Sequence, residues 1–131
     1  MKLLLDTHIW IWSALERKRL SKKVALALES PNNELWLSPI SVWELLLLTE
    51  AGRVELDRPA VRWVADFFAA TPVRDAPLTR DVALESRRLP LSHQDPADRF
   101  IAATALVYDL TLVTGDERLL DIEGLAVLSN G

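Results

Sequence analysis

Lys2-Leu3-Leu4-Leu5-Asp6-Thr7-His8-Ile9-Trp10 opens the chain, and its reading decides the fold. Lys2 to Leu5 is a short apolar run stopped by Asp6, and Ile9 to Leu15 continues with helical rather than alternating spacing. This is a strand feeding a helix, with an acid at the joint. The unit recurs downstream. Ser21 is placed to cap a helix through Glu29, Pro31-Asn32-Asn33 makes a turn, and Leu35 to Leu37 reads as a buried strand ending at Ser38-Pro39. Ser41 and Glu44 have capping-box spacing ahead of a helix from Val42 to Ala51, which Gly52 stops. Pro59 opens a helix through Ala70, and Val73 to Ala76 reads as another strand. Thr79 caps a helix reaching about Leu89, and Pro90 to His93 is loop. Asp95-Pro96 is an N-cap followed by proline at the first helical position, predicting a helix to about Tyr108. Thr111 to Thr114 is a strand, Gly115 a turn, and Leu125 to Leu128 a last short strand.

Strands that alternate with helices and are continuously apolar predict an α/β fold, an open parallel sheet of four to five strands covered by helices on both faces. The 131 residues, half of them apolar, suit a single domain over 1–131 with one sizeable core. The lack of cysteine excludes disulfides, thiolate zinc sites and cysteine nucleophiles, and fits a reducing compartment; a cytoplasmic, soluble protein is expected. Only Leu3 to Leu5 precede Asp6, too few for a signal-peptide core, and no apolar run approaches the roughly 20 residues of a membrane span. The formal charge of −4 is the wrong sign for holding nucleic acid by bulk electrostatics. Basic residues do gather at Arg17, Lys18, Arg19, Lys22 and Lys23, where a solvated loop between helices is the simplest reading.

Four acids define the candidate site. In open parallel sheets, sites form beyond the carboxyl ends of the strands. Asp6 and Asp116 directly follow apolar strands, and Glu44 falls in the first turn of the helix entered from the second strand. Asp98 begins the helix leading into Thr111 to Thr114, and connecting helices run antiparallel to strands, so it belongs to the same rim. Each acid has an ordinary explanation alone: Glu44 as a capping-box acid, Asp98 as a dipole-matched first-turn residue, Asp6 and Asp116 as helix caps. Caps have no reason to converge from four segments. Converging carboxylates with no thiol and only two histidines favour a hard cation, Mg²⁺ or Mn²⁺, which suits phosphodiester hydrolysis.

At these residues the chain resembles the PIN-domain ribonucleases, and within them the VapC-type toxins of toxin–antitoxin pairs. The matching segments are Leu3-Leu4-Leu5-Asp6-Thr7-His8, Ser41-Val42-Trp43-Glu44-Leu45, His93-Gln94-Asp95-Pro96-Ala97-Asp98-Arg99 and Leu112-Val113-Thr114-Gly115-Asp116, in the family's order. The resemblance implies that Asp6, Glu44, Asp98 and Asp116 are the catalytic, metal-binding quartet, with Asp6 and Asp98 the foremost direct ligands of Mg²⁺ or Mn²⁺. Thr114 matches a hydroxyl residue lining the same pocket. The family's activity implies an RNA substrate cut to 5′-phosphate and 3′-hydroxyl ends, a homodimer, and a small antitoxin protein as inhibitor.

The neighbours of the quartet are open to two readings each. His8 and His93 suit phosphate contact or proton transfer, or a purely structural place. Asp95 reads as a helix cap, with a supporting role through water as the alternative. Arg99 would meet a scissile phosphate or pair with a site carboxylate, and Thr7 would orient Asp6 or simply begin its helix. Trp10 and Trp12, two apart on one helix, cannot both face the core, so one belongs to a dimer or antitoxin surface. Trp36 and Trp43 read as packing residues, Trp63 as core or partner surface, and Leu45 to Leu48 as part of a buried interface. The alternative function is a catalytically inactive PIN-like module for dimerisation and protein binding. A phosphatase with a nucleophilic aspartate at Asp6 is weaker, because His8 stands where such enzymes of the haloacid-dehalogenase type carry a second aspartate.

Overall fold

The computed structural model describes residues 1–91 and 95–131; the expectation placed on His93 lies outside them. Among the described residues five strands form one parallel sheet: β1 (Lys2–Leu5), β2 (Glu34–Leu37), β3 (Val73–Asp75), β4 (Thr111–Thr114) and β5 (Val127–Ser129), in the order β3-β2-β1-β4-β5. β1 is central because it has no polar residue between Leu3 and Leu5, and all three are buried. Pairing Leu3 with Leu35 and Thr111, and Leu5 with Val113, sets the register on either side. Strand order proceeds outward in one direction through β2 and β3, then restarts on the other side of β1 with β4. That reversal opens a crevice beyond the carboxyl ends of β1 and β4.

Alternate side chains of the strands feed two cores. Leu4 and Leu112 point to one face, under α5 (Arg80–Arg88) and α6 (Pro96–Tyr108), whose Val82, Ile101, Ala102 and Ala105 close it. Leu3, Leu5 and Val113 point to the other, under α1 (Thr7–Leu15), α2 (Lys22–Glu29), α3 (Pro39–Glu50) and α4 (Ala60–Ala70). Trp10 is fully buried there, with ring centroids of Trp63 and Phe67 at 5.9 and 5.6 Å. Among the described residues no helix is long and apolar enough to cross a membrane.

Several local expectations hold. Ser21 accepts from the Val24 amide, Thr79 from the Val82 amide, and Asp95 from the amides of Ala97 and Asp98. Others are corrected. α3 begins at Pro39, not Val42: Ser38 is the N-cap, accepting from the Ile40 amide, with proline at the first turn where a missing N–H costs nothing. Ser41 therefore lies inside the helix, and Glu44 is not a capping-box acid. The last strand is shifted to Val127–Ser129, paired through Leu112 with Val127. Trp43 is about half exposed, at 49%, rather than packed, because it leaves α3 on the side away from the buried Ser41 and Leu45. Leu47 is likewise exposed, so the run Leu45 to Leu48 wraps the helix and only Leu45 is fully buried.

Candidate active site

The crevice beyond β1 and β4 carries the acids. Asp6, Glu44, Asp98 and Asp116 line one cavity of about 290 Å³ with His8, Trp12, Asp95, Gly115 and Arg118. Asp6 ends β1, and its amide donates to the Val113 carbonyl at 3.0 Å, so backbone pairing fixes it beside β4. It occupies the N-cap position of α1 but makes no side-chain cap bond. Its carboxylate is instead turned into the crevice, where Thr114 Oγ1 donates to it at 2.6 Å. The same hydroxyl accepts the Asp116 amide at 3.0 Å. Thr114 thus spaces two acids from the two central strands.

On the opposite side, the Thr7 hydroxyl donates to Glu44 and shares a 2.9 Å hydrogen bond with Ser41 Oγ. The Thr7 hydroxyl thus orients Glu44, while its backbone amide lies against Asp6. Asp98 sits in the first turn of α6 below its cap Asp95, and Asp116 accepts from the Arg118 amide as the cap of a short 3-10 turn at Glu117–Leu119. The cap role and the cavity position of Asp116 coexist.

Crowding acids in a sheltered crevice has an electrostatic cost. Burial raises the carboxyl pKa of Asp6 above the ordinary range, partly offset by the Thr114 hydroxyl and the Thr7 amide; His8 lowers it and Asp116 raises it. Burial also raises Glu44, opposed by the Thr7 hydroxyl and reinforced by the charges of Asp6, Asp95 and Asp98. Arg118, which no sequence signal marked, answers part of this charge. Its guanidinium is 2.8 Å from Asp116 and 3.5 Å from Asp98. Among the described residues no three Asp, Glu or His side chains stand as they are in an arrangement that could hold a metal ion. The donors are nevertheless all oxygen, and burial makes two of them, Asp6 and Glu44, resist ionisation. That set fits a hard divalent cation in its chemistry, once the carboxylates draw inward from their present partners.

Arg99 does neither of the things expected of it. It is buried, and its guanidinium donates to the carbonyls of Ser86 at 2.9 Å, Leu89 at 3.4 Å and Leu91 at 3.0 Å. Helical geometry explains the difference: successive residues point about 100° apart, so a neighbour of Asp98 faces α5 instead of the crevice. Trp10, buried with Trp63, is the core tryptophan of its pair, and Trp12 is the one left half-exposed at the cavity.

A larger cavity of about 480 Å³ lies between α1, α2 and α4, lined by Leu5, Leu28, Trp63 and Phe67 among others. The charged residues that line it are paired, Arg17 with Glu29 at 2.5 Å and Arg58 with Asp66 at 2.7 Å, and it holds none of the four acids. The smaller, acid-lined cavity is the candidate active site.

Known proteins agree with this architecture. The sequence profile of the PIN domain matches residues 3–125. Ribonuclease VapC22 of Mycobacterium tuberculosis is 40% identical over 117 residues, which cover 88% of each chain. Among solved structures, VapBC2 from Rickettsia felis bound to a DNA fragment from their promoter superposes with a TM-score of 0.71 at 18% identity, covering 98% of both chains. A toxin–antitoxin complex from Klebsiella pneumoniae gives 0.66 at 23% identity, again over 98% of both. The structural likenesses establish a shared fold, and with the profile spanning nearly the whole sequence, the chain belongs to the PIN domain family.

Proposed function

We propose that this chain is a Mg²⁺- or Mn²⁺-dependent endoribonuclease, the toxin of a toxin–antitoxin pair, acting in the cytoplasm as a homodimer and silenced by a small antitoxin protein. The observation that carries the reading is the convergence of Asp6, Glu44, Asp98 and Asp116, from four separate segments, on one cavity at the switch point of the sheet. The 40% identical relative is named a ribonuclease, and the solved structures of the same fold are named as toxin–antitoxin assemblies, which supports both halves of the proposal.

Asp6, Asp98, Glu44 and Asp116 would hold the cation, which supplies neutralisation of the acids, activation of a water and stabilisation of the charge that grows on the phosphate. The rest falls to the protein. Thr114 holds Asp6 and Asp116 at a fixed spacing through its donated and accepted hydrogen bonds. Thr7 holds Glu44, and Asp95 fixes the first turn of α6 from which Asp98 projects. Because each acid rests on a strand end or a helix start, the carboxylates are placed by rigid elements. Arg118 brings positive charge to an otherwise anionic cavity, and a polyanionic strand needs such charge to approach.

The rival, an inactive module, draws on the same fold, and on the lack among the described residues of a ready-made metal set. Mapping RNA ends in cells after inducing wild type and Asp98→Asn side by side separates the two. The ribonuclease reading expects new 5′-phosphate ends with wild type and none with the variant. Identical end profiles for both proteins would refute it.

A further inference from the structure

A second cleft adjoins the acid cavity. It measures about 370 Å³ and is lined by His8, Ile11, Trp12, Glu16, Arg19, Leu48, Arg53 and Val54. His8 and Trp12 line both spaces, so a strand crossing the acids can continue into the cleft without leaving the surface. Its size falls within the roughly 300–1,000 Å³ of small-ligand clefts.

The lining combines a stacking surface with cations. His8 and Trp12 stand four residues apart on one face of α1, and Glu16 follows at its C-cap. Trp12 is half-buried, its ring centroid 5.8 Å from that of His8, and the Arg19 guanidinium carbon lies 4.5 Å from the same ring. Arg19 is held from two sides: its carbonyl accepts from Asn130 Nδ2 at 3.1 Å, and its guanidinium is 3.6 Å from Glu16. Arg53, exposed just past the end of α3, has no ion-pair partner among the described residues. Ile11, Leu48 and Val54 give the cleft an apolar floor.

An aromatic ring, a guanidinium plane and an exposed arginine beside apolar side chains are the elements by which single-stranded RNA is held: bases stack and phosphates meet cations. We propose that this cleft is a nucleotide subsite for the RNA residue adjoining the scissile phosphate, with its base stacked against the Trp12–Arg19 face and its phosphate drawn to Arg53. The subsite deepens the ribonuclease reading and rests on it. It also supplies the RNA-holding surface that a net charge of −4 leaves unidentified. A nucleotide suits the place better than a protein segment because the cleft is compact, carries two guanidinium groups, and shares its wall with the site where phosphodiester chemistry is proposed.

The test measures binding by fluorescence polarisation in EDTA, using labelled hexauridylate and a ribose-phosphate hexamer that lacks bases. Trp12→Ala is expected to weaken hexauridylate binding about tenfold and to leave the baseless hexamer unchanged, while Trp12→Phe keeps most of the affinity. Arg53→Gln is expected to weaken both oligomers alike and to lower the slope of log affinity against log salt by about 0.7. Melting curves show whether each variant is folded; should Trp12→Ala fail to fold, Trp12→Leu, which keeps apolar bulk but removes the ring, carries the test and is expected to show the same selective loss on hexauridylate. Equal losses on the two oligomers, or no loss on either, would overturn the subsite and assign the cleft to packing or to a protein partner. Failure of the ribonuclease reading is seen separately, as absence of Mn²⁺-dependent cuts by wild type, and the affinity ratios judge the subsite in either case.

Discussion

Asp6→Asn is expected to lower Mn²⁺-dependent RNA cleavage by at least about 10³-fold, roughly 4 kcal/mol of transition-state stabilisation, while making the metal-free protein more resistant to unfolding. The two effects have one cause. Asp6 is buried at the end of the central strand, and burial raises its carboxyl pKa despite the hydrogen bond from Thr114. A group whose folded pKa is raised holds its proton more tightly in the native state than in the unfolded chain. Its contribution is therefore most favourable below the unfolded value and is lost as pH rises through the folded value. Glu44 is shifted in the same direction, by burial first and by its acidic neighbours after. The metal-free protein should accordingly lose stability as pH rises above the ordinary carboxylate range and through these raised values.

Asparagine keeps an oxygen to accept from Thr114 but carries no charge, so the variant escapes that loss. Thermal melts in EDTA between pH 4 and pH 8 should show wild type and Asp6→Asn converging at the acid end and separating as pH rises. Mn²⁺ should close the gap by stabilising wild type alone. A variant less stable than wild type at pH 8 without metal would mean that the Asp6 charge is already satisfied by the protein. The crevice would then have no call for a cation.

The second large effect concerns Arg99, whose guanidinium binds three carbonyls at the end of α5 and in the segment that follows. Arg99→Met fills similar volume but removes every donor. With about 1–3 kcal/mol for each buried carbonyl left unsatisfied and some relaxation, a loss of about 3–5 kcal/mol is expected in urea unfolding. Arg99→Lys should not restore it, since one ammonium cannot reach three acceptors spread around a planar fork. The KM for RNA of the folded variant should stay unchanged. Normal stability with a raised KM would return Arg99 to the phosphate.

The contrast between Asp98 and Arg99, adjacent in sequence, shows what the sequence made legible. Asp98 could be placed because it depends on local grammar: Asp95-Pro96 marks the start of α6, and the direction of a connecting helix fixes which end of the sheet that start occupies. Asp6 and Asp116 were legible for the same reason, each closing an apolar run. The orientation of Arg99 depends on carbonyls 8 to 13 residues away, whose positions follow from how α5 packs on α6. No local pattern encodes that.

α3 failed in a different way. Ser38-Pro39 and Ser41 with Glu44 are both start signals, three residues apart, and the proline at the first turn decided between them. That resolution removes the cap explanation of Glu44 and leaves it at the crevice, where Thr7 holds it. Arg118 and the Trp12–Arg19 pair had no signature because charge–charge and cation–π contacts leave no periodicity to read. Trp43 was misjudged because an apolar run longer than one stripe must expose some of its members.

The central claim is that carboxylates from four segments form one cradle for a cation. Anomalous diffraction from crystals soaked in Mn²⁺ tests it most directly. The account predicts a manganese peak in the crevice beyond β1 and β4, with oxygens of Asp6 and Asp98 at about 2.0–2.2 Å and Arg118 displaced from Asp98. Density for manganese elsewhere, or a crevice unchanged with Arg118 still on both acids, would contradict it.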